Sequence, residues 1–290
     1  MTKANGARSQ SAREKAAQRT RTPRTAGRRR ALTAGGSVAA VLAIVIALFA
    51  FKASDPTAQA GTATSNPAVA RQIATIPGAT FDAVGKGTAA GITKISGQPE
   101  LTVNGKPEVL YMGGEYCPYC AAERWAIAAA LGRFGSLSGV GFIHSSPTDA
   151  YPNTPTLSFA NATYTSKYVA FVPVEWYGQK PDSSTPTGYA YLHKPTAQQA
   201  ALFARYANGS FPFVDIGNRY LISGAQYLPS ELSGMTWAQV ASAMRNPNSS
   251  VAKDIDGAAN MIAAAISQLT HGQPAGVSGS AGVKAAQGSI

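Results

Sequence analysis

The sequence predicts an α/β domain that carries an insertion and is preceded by one transmembrane helix. Three observations carry that expectation. Val109-Leu-Tyr-Met112 is a short apolar run that ends at Gly113-Gly114, the pattern of a buried strand. Ala121, Ala122, Trp125, Ala126, Ala129 and Ala130 then recur at helical spacing, with Leu131 extending the face to Gly132. Far upstream, the 21 residues from Ala31 to Phe51 contain no charge, enough apolar chain to cross a bilayer as a helix.

Residues 1–30 hold ten Lys or Arg against Glu14 alone and have almost nothing to bury, so a disordered tail is expected. The remaining 260 residues carry 15 basic and 13 acidic groups. Most of the formal charge of +11 therefore belongs to the tail, and nothing in the nearly neutral remainder argues for nucleic acid. Arg28-Arg29-Arg30 abut the apolar run, while only Lys52 flanks its other side. The positive-inside rule then places residues 1–30 in the cytoplasm, 31–52 in the membrane as a signal anchor, and the rest outside. Ala58-Gln59-Ala60 offers the rival of a cleaved signal peptide, but the long basic lead and long apolar run favour the anchor. In either case an extracytoplasmic domain is expected, where disulfides form and persist.

Beyond the anchor, residues 53–95 read as a linker with one short helix over Val69 to Ile76, and residues 96–271 as the domain itself. Leu101-Thr-Val103 and the Asn104-Gly105 turn lead into the central strand. Val140-Gly-Phe-Ile-His144 reads as a second strand, so strand, helix and strand would form a right-handed βαβ unit with parallel strands. Residues 145–195 interrupt the pattern with repeated prolines between aromatic and β-branched runs, an insertion with one or two strands. Its aromatics either fill a satellite core or line a surface beside the cysteines. Thr196 to Tyr206, Trp237 to Met244 and Asp254 to Leu269 read as helices. Phe211 to Ile222 reads as two strands joined at Gly217-Asn218, and residues 272–290 as a flexible tail.

The two cysteines, Cys117 and Cys120, stand three apart where the strand gives way to the helix, with Pro118 in the first turn. A helix N-terminus presents unpaired N–H groups and a partial positive charge, which favour thiolate over thiol. Cys120, one turn further in, is placed to attack a mixed disulfide formed at Cys117. The pattern thus expects a nucleophile and a resolving thiol. A zinc site needs two more ligands, and His144, His193 and His271 are scattered, so no metal is expected. An inert structural disulfide and a pair of unrelated core thiols are the remaining alternatives.

Strand, Cys117-Pro-Tyr-Cys120 and helix resemble the active-site region of the thioredoxin-like superfamily. A closer resemblance runs from about Gly97 to Gln273, through Asn104-Gly-Lys-Pro-Glu-Val-Leu-Tyr111, Cys117 to Trp125, Pro212-Phe-Val-Asp-Ile-Gly-Asn218 and Gly257-Ala-Ala-Asn260. These are similar to the actinobacterial and archaeal domain-of-unknown-function family numbered 929. The resemblance implies a thioredoxin-like fold, Cys117 and Cys120 as the reacting pair, and Tyr116, Tyr119, Phe211 and Pro212 as the surface that meets substrate. Pro212 matches a cis-proline position by pattern, with an ordinary trans edge-strand proline as the alternative. Tyr111 stands where thioredoxins carry a buried aspartate, Tyr116 where they carry a tryptophan. Glu115 and Glu123 are candidates for protonating Cys120, with solvated side chains as the preferred reading. Ser267 and Ser278 occupy the region where some family members carry a second cysteine pair, so no internal relay is expected.

The expected function is that of a membrane-anchored, extracytoplasmic thiol–disulfide oxidoreductase. It would act on protein thiols and disulfides, be recycled by a membrane redox partner, and need no soluble cofactor. The alternative is a tethered binding or scaffold protein whose cysteines form an inert disulfide. A third reading, a metal chaperone, would use the two thiolates to bind Cu(I).

Overall fold

A computed structural model describes residues 63–290; the basic tail and the expected membrane anchor lie outside the described residues. Among the described residues no helix is long and apolar enough to cross a membrane. The architecture is mixed α/β, built on a seven-stranded mixed sheet.

Its centre is β3 (Lys106–Gly114), buried from Glu108 onward. Val109 and Tyr111 face one core, Leu110 and Met112 the other, because alternate side chains leave opposite faces of a strand. Burial on both faces explains why the run reads as continuously apolar. The short β2 (Thr102–Val103) pairs with its start across Asn104-Gly105, both in the left-handed region that such a tight turn requires. β10 (Phe213–Ile216) lies antiparallel on one side of β3, followed outward by β11 (Tyr220–Ser223) and the two-residue β1 (Thr93–Lys94).

On its other side β3 pairs in parallel with β8 (Ala170–Pro181), and β9 (Tyr189–Tyr191) closes that edge. The expected βαβ unit therefore exists with a different second strand. Val140 to His144 supplies only the four-residue β5 (Gly141–His144), which pairs antiparallel with β6 (Pro155–Ser158) in a separate small sheet. A strand of four residues cannot cover nine-residue β3, whereas β8 runs beside it from Glu108 to Gly114. Pro173 lies opposite Tyr111 of β3, in the part of β8 that β9 does not yet flank. The stretch 145–195 is thus no insertion beside the sheet. It carries β6, β7 (Thr163–Ser166, paired with β4, Gly135–Ser138), β8 and β9.

Helix α3 (Pro118–Leu131) and the long α6 (Ser250–Leu269) cover one face of the sheet. Both are alanine-rich, and in α3 every residue except Tyr119 is buried, as expected of a helix apolar nearly all round. On the opposite face, Leu202, Phe203 and Tyr206 of α4 (Ala197–Tyr206) pack on Leu110, Met112, Val174 and Phe213. α5 (Trp237–Ala243) carries the buried Val240 and Ala241.

Two ends of the domain differ from expectation. Residues 63–95 are structural: α1 (Pro67–Ala74), α2 (Gly78–Val84) and β1 belong to the fold, and Val69, Ile73, Phe81 and Ile92 are buried in its core. Residues 272–290 form α7 (Ala275–Ser278) and α8 (Ala281–Ala286), with Val283 and Ala286 fully buried. Small residues hide this packing from a reading by hydrophobicity. A methyl on Gly282 would strike the Phe81 carbonyl, and Asp82 accepts the Gly282 N–H at 2.8 Å. The Ser278 and Ser267 hydroxyls also bond at 2.8 Å.

Candidate active site

β3 delivers the chain to the cysteines through a register shift against β8 at Gly113 and Gly114. Such a bulge bends a strand and re-aims the residues beyond it. Cys117 then becomes the N-cap of α3, with Pro118 in its first turn. Its sulfur accepts the Cys120 N–H at 3.3 Å, as a serine or aspartate oxygen does at an ordinary cap. The Cys117 N–H itself donates to the Gly114 carbonyl at 3.1 Å.

The two thiols are free and differ in setting. Cys117 keeps 7% of its surface exposed and Cys120 none. Burial pushes Cys117 up, but hydrogen bonds from the Cys120 thiol and N–H, with the Arg124 charge, bring it below its ordinary value. Burial and the hydrogen bond to Cys117 push Cys120 well up. One sulfur, nearly buried, is held toward thiolate and the other, fully buried, toward thiol.

Under the pair lies an ion pair that the motif alone does not reveal. Arg124 donates from Nε and Nη2 to the two carboxylate oxygens of Glu175 on β8, each at 2.8 Å, with both side chains fully buried. Nη2 also donates to the Gly114 carbonyl at 2.8 Å, and Glu175 accepts the Phe159 N–H at 3.1 Å. The guanidinium thus fixes the same carbonyl that receives the Cys117 N–H. A signal for this pair exists in the sequence: one arginine in an alanine-rich helix, and one glutamate in the run Val172-Pro-Val-Glu-Trp.

An aromatic wall rises around the cysteines. Tyr116 stacks on Tyr189 at 4.2 Å between ring centroids and meets Tyr177 edge-on at 6.4 Å. Tyr177 continues to Tyr191 at 5.0 Å and to Phe211 at 6.0 Å. Tyr119, on the other side of Cys117, is exposed and meets Tyr151 edge-on at 5.7 Å. Phe213 pairs with Met112, which brings Pro212 to the level of Gly113, and the Phe211–Pro212 bond is cis. Of the six residues expected from the sequence, Tyr116 and Phe211 meet through Tyr177, the cysteines and Tyr119 stand at the start of α3, and Pro212 lies level with Gly113 at the end of β3. Sequence reading missed Tyr177, Tyr189, Arg124 and Glu175, all but one of them on β8 or β9. Of the two carboxylates expected beside Cys120, Glu123 turns away: it accepts the Gln226 N–H at 2.9 Å, and burial raises it to about 7. Glu115 accepts from the Ser158 hydroxyl, and burial raises it too. Among the described residues no group of three His, Cys, Asp or Glu could hold a metal ion.

The family model described as Domain of unknown function (DUF929) matches residues 92–268. No curated protein and no solved structure matches the chain.

Proposed function

The chain belongs to the DUF929 family, and from the geometry of its cysteine pair we propose that it is a thiol–disulfide oxidoreductase on a thioredoxin-like fold. The observation that carries the reading is the opposed setting of the two thiols: Cys117 capping α3 and held toward thiolate, Cys120 beneath it and held toward thiol. A parallel pair β3–β8 bridged by a helix, an antiparallel hairpin β10–β11 beside it, and Pro212 at the hairpin's start support the fold assignment.

In the forward direction the Cys117 thiolate attacks a substrate disulfide, forming the Cys117–substrate bond and expelling the other substrate sulfur as thiolate. Cys120 then attacks Cys117, closing the Cys117–Cys120 disulfide and releasing the second substrate thiol. The reverse sequence oxidises a substrate dithiol. The substrates are protein thiols or disulfides that reach Cys117 past Tyr116, Tyr119 and the Phe211–Pro212 backbone. The charge asymmetry around Ala31 to Phe51 supports an extracytoplasmic, membrane-anchored domain recycled by a membrane redox partner.

The test is alkylation of the reduced protein with iodoacetamide across pH. Cys117 is expected to react with a midpoint below the ~8.5 of a free thiol, Cys120 to be spared, and Cys120→Ser to accumulate a mixed disulfide. A Cys117 that reacts only after unfolding would point instead to an inert pair on a scaffold protein.

A further inference from the structure

Two polar groups beside the cysteine pair have no hydrogen-bond partner among the described residues. Tyr111 is fully buried on β3, and its hydroxyl is one of them. The other is Nη1 of Arg124, whose remaining nitrogens are taken by Glu175 and the Gly114 carbonyl. A buried hydroxyl left unsatisfied costs stability that phenylalanine in the same space would not. The hydroxyl's position is specific. A methyl on Gly113 would strike it and would also lie 3.1 Å from Cys120 Sγ. The Tyr111 hydroxyl therefore fills the space beside Cys120 Sγ that any side chain at position 113 would need. Phe159 holds the Tyr111 ring edge-on at 5.4 Å, and the Arg124 guanidinium carbon lies 5.7 Å from its centroid.

We propose that the Tyr111 hydroxyl is a hydrogen-bond donor held for the Cys120 thiolate, a species formed only while a mixed disulfide at Cys117 is being resolved. The proposal rests on the exchange reading above. In that step Cys120 gives up its proton and its thiolate attacks Cys117 Sγ. The Cys117–Cys120 bond forms as the Cys117–substrate bond breaks, and the electron pair of the broken bond leaves on the substrate sulfur, which takes up the proton that Cys120 gave up. In the resting dithiol Cys120 keeps its proton and donates it to Cys117, so the hydroxyl has nothing to do. When charge moves onto Cys120, a buried donor that bonds no other group among the described residues gains an acceptor without first losing one. Such an interaction is made in the transition state and not before it. The Arg124 guanidinium supplies fixed positive charge that favours the same thiolate.

The experiment is stopped-flow reaction of the full-length reduced protein with Ellman's reagent, where attack by Cys117 and resolution by Cys120 each release one coloured thiolate. Tyr111→Phe is expected to leave the first phase unchanged, slow the second by roughly tenfold, and leave the melting temperature equal or higher. An unchanged second phase, or a lowered melting temperature with both phases affected alike, would make the hydroxyl merely structural and overturn the proposal. Absence of any first phase in the unmutated protein would instead remove the exchange reading on which it rests.

Discussion

Individual side chains were legible in the sequence where local chemistry decides their role. Cys117 and Pro118 cap a helix whatever the rest of the chain does, and Asn104-Gly105 makes its turn alone. Side chains whose environment comes from distant strands were not legible. Glu123 reads as a solvated side chain or a proton donor to Cys120, yet it is fully buried and accepts the N–H of Gln226, far along the chain. Asp256 is the extreme case: it is fully buried on α6, and neither oxygen finds a hydrogen-bond partner. Burial raises it to about 8, opposed by the Arg133 charge. Between about pH 4 and pH 8 the folded chain therefore holds a proton that the unfolded chain has released, and stability falls as pH rises through that window. Asp256→Asn, which mimics the protonated side chain, should flatten this dependence and be more stable at pH 8 by on the order of 1–3 kcal/mol. Urea unfolding at pH 5 and pH 8 reads it directly, and an equal pH slope in both proteins would contradict it.

Among the elements, those with strong periodicity or a turn signal matched expectation, and those built from small residues did not. The alanine pattern after Cys120 predicts α3, and Phe211 to Ile222 predicts the β10–β11 hairpin. Residues 272–290 have too little side chain to announce a buried helix, yet α8 fits because Gly282, Val283 and Ala286 let it approach Phe81 and α6 closely. The contact is steric and reciprocal, which no single-segment pattern records. Truncation after His271 should therefore lower the melting temperature by several degrees, about 4 °C or more for the loss of even two buried apolar side chains. A flexible appendage would leave the thermal scan unchanged.

Over the whole molecule, the Arg124–Glu175 pair joins α3, the end of β3 and β8, the segments that form the cysteine site. Removing one member leaves the other charged and buried, so Arg124→Met should cost about 3–5 kcal/mol. Replacing both, as Arg124→Met with Glu175→Leu, should recover most of that loss, and a double-mutant cycle by denaturant unfolding measures the coupling. Additive losses would mean that the pair does not act as one joint. The sequence by itself determined the paired-cysteine motif, the strand before it, the helix after it, the hairpin, and an apolar segment long enough to span a bilayer. Each is set by contacts within about ten residues, or by composition. Only the tertiary structure decided that β8 rather than the Val140 segment lies beside β3, that residues 63–95 and 272–290 belong to the core, and that Arg124 finds Glu175 under the cysteines. Those outcomes depend on which distant segment best covers an exposed edge or satisfies a buried charge. That competition is settled by burial and pairing across the fold, not by local preference.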